Sequence, residues 1–128
     1  MSEKMEAVAT SEAPVALGAY SQAVKANGFV FVSGQLGIDP TTGELAGDTA
    51  GEQTAQALKN IKQILDTAGT GIEHVVRATI YMKNVEDSRK SMPGTRRVHR
   101  LRQAARVAIG GNDIPKGALV EIDAIAVL

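Results

Sequence analysis

Two residues near the end of the chain could hold a small acid and a water molecule together. Arg106 lies in an apolar, β-branched run from Ala105 to Ile109, and Glu121 lies in a second run from Leu119 to Leu128. A guanidinium binds a carboxylate through paired hydrogen bonds, and a carboxylate can position or activate a water. At the rims of two strands, these residues could therefore form one pocket. Alternatively, they form a structural ion pair at a sheet edge, which is the more common role of such pairs.

The second run alternates in the manner of a half-buried strand. Successive side chains of a strand point to opposite faces, so residues two apart share a face. One face then carries Val120, Ile122, Ala124 and Ala126, and the other carries Leu119, Glu121, Asp123, Ile125 and Val127. The pattern predicts one apolar face and one face on which two carboxylates lie among apolar neighbours.

Local signals predict a hairpin and a helix earlier in the chain. Asn27-Gly28 favours a type I′ turn, which predicts a hairpin between residues 20–26 and 29–33. Thr49 and Glu52 have the spacing of a capping box. The apolar positions that follow recur every three or four residues, as in an amphipathic helix, until Gly69 ends the pattern.

The order of elements predicts the fold class. Residues 6–9 suggest a short edge strand, and residues 74–82 are rich in β-branched side chains. Hairpin, helix, strand, a second helical slot and two strands indicate an α+β fold with helices on one face of a mixed sheet. The opposite face would be bare and apolar, which on a small domain usually indicates an oligomer.

The composition excludes several classes of function. We expect one domain over residues 1–128, and the zero net charge indicates neither a nucleic-acid nor a membrane partner. Without cysteine there is no disulfide or thiol nucleophile, and His74 and His99 lack the neighbours of a metal site. No apolar run approaches a membrane span and no signal-peptide pattern is present, so we expect a cytoplasmic protein.

Several motifs together resemble the Rid family of reactive intermediate deaminases, also called the YjgF family. The resemblance spans nearly the whole chain in order and spacing. It is carried by Gly18-Ala19-Tyr20-Ser21-Gln22-Ala23, Val32-Ser33-Gly34-Gln35-Leu36, Val75 to Lys83, Ala105-Arg106, Ile114-Pro115 and Val120-Glu121-Ile122-Asp123-Ala124-Ile125-Ala126.

The resemblance implies a chorismate-mutase-like α+β fold with two helices on one face of a mixed sheet, assembled as a homotrimer with pockets between subunits. It also implies cofactor-independent hydrolysis of 2-imino acids or their enamine tautomers to a 2-keto acid and ammonia. Arg106 would bind the substrate carboxylate, Glu121 would position or activate the water, Tyr20 would line the pocket, and Ser33 with Gly34 would frame it. The family commonly has a cysteine where this chain has Ala108, which affects the expected substrate range.

Residues 88–103 depart from the resemblance. They include six of the fourteen Lys and Arg residues and no Asp or Glu, and Pro93-Gly94 interrupts the position of the family's second helix. The stretch could bind nucleic acid, although it lacks aromatic residues for stacking, or it could be a solvated basic loop. It could also be a shifted reading frame. Read one nucleotide earlier, possible codons for residues 88–96 permit phenylalanine, alanine, lysine, valine, asparagine, alanine, glycine, tyrosine and alanine, which resembles the family's own helix.

Three functions follow from the sequence. The first is a 2-iminobutanoate/2-iminopropanoate deaminase. The second is a non-catalytic trimer that binds small ligands in the same pocket. The third is an RNA-directed ribonuclease or translation inhibitor, which only the basic stretch supports and which is therefore disfavoured. Chorismate mutation would need more cationic groups for a dicarboxylate and ranks last.

Overall fold

The computed structural model describes residues 4–87, 101 and 104–128, which form one six-stranded mixed sheet and one long helix. The elements in chain order are β1 (Met5–Val8), β2 (Ala23–Ala26), β3 (Phe29–Leu36), α1 (Ala50–Ala68), β4 (Val75–Met82), β5 (Ala105–Ile109) and β6 (Val120–Val127). The strand order is β1-β2-β3-β6-β4-β5, and only the β4–β5 pair is parallel. This is the α+β class that the order of elements predicted.

The predicted hairpin has the expected turn geometry. Asn27 and Gly28 have φ angles of 52° and 82°, as a type I′ turn requires, and they join β2 to β3. The first hairpin strand begins at Ala23 rather than Tyr20, because regular pairing with β3 stops there. The last backbone bond of the hairpin runs from Ser33 N to Gln22 O at 3.0 Å.

Helix α1 has the predicted ends. The Thr49 hydroxyl accepts a hydrogen bond from Glu52 N at 3.1 Å, and Thr49 N donates to the Glu52 carboxylate at 3.3 Å, which completes the capping box. Gly69 follows the helix with a φ of 95°, a left-handed conformation that favours glycine. The helix is therefore bounded by its own sequence before any tertiary contact is considered.

The core lies between α1 and one face of the sheet. The largest side chains of the helix stripe, Leu58, Ile61, Ile64 and Leu65, are at most 1% exposed. The sheet contributes alternate residues of β6, which are all buried: Val120, Ile122, Ala124 and Ala126. This confirms the alternation predicted for the last strand.

The other face of the sheet, called the open face here, carries Glu121, Asp123, Ile125 and Val127 of β6. Phe29 and Phe31 of β3 lie on the same face and are 36% and 44% exposed. Their rings pack against each other, with centroids 6.1 Å apart. A single chain thus leaves aromatic surface in solvent beside two carboxylates.

The second expected helix falls on residues 88–103, of which only Leu101 is described. The question of the basic stretch and its reading frame therefore lies outside the described residues. Within the described ranges, no helix is long and apolar enough to cross a membrane.

Candidate functional site

A cavity of about 380 Å³ opens where β3 ends and β6 begins. The loop between β1 and β2 forms one wall, and the turn before β6 forms another. Most lining residues are apolar or carry no charge, and the charged side chains among them are Lys116 and Glu121. The full lining is Pro14, Val15, Ala16, Leu17, Tyr20, Gln22, Gly34, Gln35, Leu36, Ile38, Pro40, Gly43, Pro115, Lys116 and Glu121.

Gly34 makes room for the carboxylate of Glu121. A Cβ atom at position 34 would lie 2.9 Å from Glu121 Oε2 and 3.0 Å from its Cδ, closer than ordinary contact allows. The pairing of β3 with β6 shifts register between Val32 and Gln35, so Gly34 lies in a β-bulge. The bulge turns the backbone of β3 towards the carboxylate, and the missing side chain lets the two approach.

Burial raises the pKa of Glu121 above its ordinary value of 4.5, and the negative charge of Asp123 raises it further. Asp123 lies two residues along the same face, where it accepts a hydrogen bond from the Tyr81 hydroxyl at 3.3 Å. The charge of Asp123 in turn raises the pKa of Tyr81. Glu121 lines the cavity, and its raised pKa suits a group that takes up and returns protons.

Tyr20 lies in the loop that forms the first wall and is 53% exposed. Gly18, two residues earlier in that loop, has a φ of 108°. Tyr20 is among the residues that line the cavity. Ser33 is next to Gly34 but is not among the lining residues, because its hydroxyl donates to Ser21 O at 2.6 Å. Within one chain Ser33 thus ties β3 to the loop, and its predicted contact with a substrate stays a prediction.

Arg106 is exposed on β5 and does not line this cavity. It pairs with Ala78 of β4, which pairs with Ala124, whereas Glu121 pairs with Tyr81. Because paired residues share a face of a sheet, Arg106 lies on the helix-covered side and Glu121 on the open face. Strand β4 also separates them by two strand spacings, about 9–10 Å. One chain therefore brings Tyr20, Gly34 and Glu121 together and leaves Arg106 outside.

Lys116 and Gln22 also line the cavity, and the sequence alone assigned no role to either of them. Lys116 has a φ of 61°, and this left-handed backbone in the turn before β6 puts a cation at the cavity. The sequence signal was Pro115-Lys116-Gly117, a run typical of a tight turn. Gln22 is buried against the loop wall, and only its place in the Gly-x-Tyr-x-Gln motif pointed to it.

The described residues contain no cluster of three or more His, Asp or Glu side chains that could hold a metal ion. What the site offers is one carboxyl group with a raised pKa, one phenol and one exposed cation around a mostly apolar space. The chain is thus a small α+β protein with a ligand-sized cavity at the junction of its two central strands.

Comparison with known proteins identifies its family. The model of the family described as Endoribonuclease L-PSP matches residues 10–128. The chain is 41% identical over 121 residues to a RutC family protein of Pyrococcus horikoshii, covering 94% of this chain and 96% of that protein. It is 39% identical over 120 residues to the 2-iminobutanoate/2-iminopropanoate deaminase of Rattus norvegicus, covering 94% and 88%. The chain belongs to the Rid (YjgF) family, as its motifs predicted.

The fold agrees with that of a similar protein of known structure. TdcF of E. coli with bound serine superposes with a TM-score of 0.86 at 30% identity, covering 96% of this chain and 98% of that one. At the level of the family, relatives named as imine deaminases make a hydrolase-type enzyme the expected class.

Proposed function

We propose that this protein hydrolyses 2-imino acids such as 2-iminobutanoate and 2-iminopropanoate, or their enamine tautomers, to the 2-keto acid and ammonia. The observation that carries the proposal is the Glu121 carboxyl group, which packs on Gly34 in a mostly apolar cavity and has a raised pKa. The mammalian relatives are named for this reaction, and serine bound to TdcF is an amino acid of similar size. No cofactor is required by the chemistry.

The reaction needs one water and three proton movements. Glu121 accepts a proton from water as the oxygen bonds to the carbon of the protonated imine, which forms a tetrahedral aminoalcohol. Glu121 then gives this proton to the amino nitrogen. The C–N bond breaks and ammonia leaves as the hydroxyl returns a proton to the Glu121 carboxylate and the C=O bond forms. Because a protonated imine is already electrophilic, orientation and one acid–base group suffice. Tyr20 would limit the position of the substrate on the other side of the cavity.

The substrate carboxylate needs a cation, and we assign that role to Arg106 of a neighbouring copy. The guanidinium lies outside the cavity of its own chain but is exposed on an edge strand, where another subunit could meet it. The open face supports self-association, since Phe29 and Phe31 would be covered by a second copy. A homotrimer with pockets between subunits is the arrangement that we propose.

Ammonia release tests the activity. Threonine dehydratase acting on threonine supplies the short-lived enamine, and the appearance of 2-ketobutyrate and ammonia is followed with and without this protein. We expect acceleration by the unaltered chain and its loss in Arg106→Ala, whereas Lys59→Ala, which removes an exposed cation from α1, keeps the rate. Binding of 2-ketobutyrate without any acceleration would instead make the protein a non-catalytic ligand-binding member of the family.

Mixing two inactive variants tests the shared pocket. Arg106→Ala and Glu121→Gln each remove one group, so each alone should be inactive. If the two groups of one site come from different subunits, random mixing after reversible dissociation restores about a quarter of the sites. Mixed assemblies that form and stay inactive would contradict the assignment of Arg106 to the neighbouring copy.

The family description, Endoribonuclease L-PSP, favours RNA cleavage as a second candidate. The described cavity has one cation, Lys116, and the basic stretch lies outside the described residues. Retention of RNA that weakens steeply with salt, together with cleavage that Glu121→Gln abolishes, would support this candidate. Failure to retain RNA at low salt would remove it.

A further inference from the structure

Gln22 has a buried side chain whose hydrogen-bonding groups are fully used by one loop. The residue is 4% exposed. Its Nε2 donates to Pro14 O at 2.7 Å, Thr10 O at 3.1 Å and Ala13 O at 3.3 Å. Its Oε1 accepts from Thr10 N at 2.7 Å. With two amide hydrogens and one carbonyl oxygen engaged in this way, the carboxamide has no donor left for a ligand.

The carboxamide takes the place of a backbone partner. The β1–β2 pairing ends at Val8 and Ala23, and beyond that point the two strands separate. Past that point the backbone of Thr10 has no strand partner, and the Gln22 carboxamide replaces one: its Oε1 accepts from Thr10 N, and its Nε2 donates to Thr10 O. Even a partly buried backbone group is costly to leave without a partner, so these two bonds stabilise the chain at the point where it departs from the sheet.

The segment that departs is the cavity wall. Within the described part of the chain, no hydrogen bond joins residues 15–20 to any other residue. Val15 and Leu17 are 71% and 70% exposed. A second cavity of about 480 Å³ lies against this segment, and Val15, Ala16 and Tyr20 line both spaces. This wall lies between the two spaces, and its exposed side chains leave it little packing to hold it in place.

Gln22 holds the two ends of this loop segment together. Its own backbone ends the segment, and its side chain binds Ala13 and Pro14, where the segment begins. A loop whose ends are held together has fewer conformations than an open one, so the clamp restricts where Tyr20 can lie.

We infer that Gln22 is a positioning residue: its carboxamide clamps the loop of residues 13–22 and thereby places Tyr20 and the wall at the cavity that holds the substrate. The ligand part of this inference rests on the proposed function, whereas the placement of Tyr20 does not. In the motif Gly18-x-Tyr20-x-Gln22, the tyrosine then faces the ligand, and the glutamine fixes the position of the tyrosine.

Two readouts test the clamp, in Gln22→Met and in the matched control Gln53→Met. Gln53 is also a buried carboxamide that bonds backbone groups, Gly47 O at 2.9 Å and Leu119 N at 2.7 Å, but it does not touch the loop. Tyr20 can be observed alone, because the chain has no tryptophan and two tyrosines, and Tyr81→Phe removes the other. The first readout is the acrylamide quenching rate of Tyr20 fluorescence in that background. The second is the Kd for 2-ketobutyrate in the otherwise unaltered chain.

We expect Gln22→Met to raise the quenching rate of Tyr20 about twofold and the Kd for 2-ketobutyrate about three- to tenfold. A Kd rises by this factor when the wall is correctly placed in only about a third to a tenth of the molecules. Gln53→Met should leave the quenching rate of Tyr20 unchanged, although both variants lose stability. If Gln22→Met does not fold, Gln22→Asn keeps the amide, shortens its reach and is judged by the same readouts. Unchanged quenching in the Gln22 variant, or an equal rise in the control, would overturn the inference. If the unaltered protein neither binds 2-ketobutyrate nor accelerates its formation, the proposed function fails and the fluorescence still decides the clamp.

Discussion

The two faces of β6 differ in what they do, although their residues alternate along one strand. On the helix-covered side, Val120, Ile122, Ala124 and Ala126 are at most 3% exposed. On the open face, Glu121 and Asp123 lie beside apolar residues that stay partly accessible. Both sets have the same backbone conformation and nearly the same neighbours in sequence, so only the direction of the side chain separates them.

The comparison teaches where stability and chemistry are located in this fold. The covered face removes apolar surface from water, which is the main favourable term in folding. The open face holds the carboxyl group with the raised pKa and the exposed aromatic rings. A carboxyl group on the covered face would be buried without a partner, so the alternation also protects the core from the reactive group.

The largest expected difference is in stability. Ile122→Ala removes a fully buried side chain and should lower the free energy of unfolding by about 2–5 kcal/mol, because it leaves a cavity beneath α1. Ile125→Ala is the matched change on the open face and should cost well under half as much in the dissociated chain. Urea denaturation at low protein concentration measures both. Equal losses would show that the open face is packed within the single chain, against the comparison drawn above.

Gly34→Ala tests the open face without adding or removing a charge. The new Cβ would meet Glu121 Oε2 at 2.9 Å, so the carboxylate has to move. A displacement of this size should lower kcat/KM about 10- to 100-fold, because acid–base catalysis depends on the position of the group. The free energy of unfolding should fall much less than in Ile122→Ala. Full activity in Gly34→Ala would show that the reaction does not depend on the position of the Glu121 carboxyl group.

The alternation in β6, the capping box and the Asn27-Gly28 turn could be predicted from the sequence because each depends on residues a few positions apart. The order of the strands could not. Residues 105–109 and 120–127 are neighbours along the chain, yet β4 lies between them, since long-range pairing decides which strands meet. For this reason the single chain does not bring Arg106 to Glu121. The loop wall was equally hidden, because its position depends on a buried side chain rather than on a turn signal.

Asp123→Asn tests the electrostatic part of the comparison. Burial is the first cause of the raised pKa of Glu121, and the charge of Asp123 is the second. Removing that charge should lower the pKa of Glu121 towards 4.5 but not to it, because burial remains. A base must be deprotonated to act, so the acid limb of the kcat/KM profile should move to lower pH. Tyr81→Phe, which keeps the charge of Asp123 and removes only its hydrogen-bond donor, should leave the limb nearly in place. A shift to higher pH in Asp123→Asn would contradict this account.

The smallest expected effect is at the start of the covering helix, far from the open face. Thr49→Ala removes the hydroxyl that accepts a hydrogen bond from Glu52 N, and it should lower the free energy of unfolding by about 1 kcal/mol. Thr49→Ser keeps the acceptor and should retain most of that stability. Neither change touches the cavity, so the Kd for 2-ketobutyrate and the deaminase rate should match those of the unaltered chain once the folded fraction is taken into account. Because α1 packs against the buried face of β6, which carries none of the proposed site residues, a loss of activity beyond that fraction would mean that the two faces of β6 are coupled.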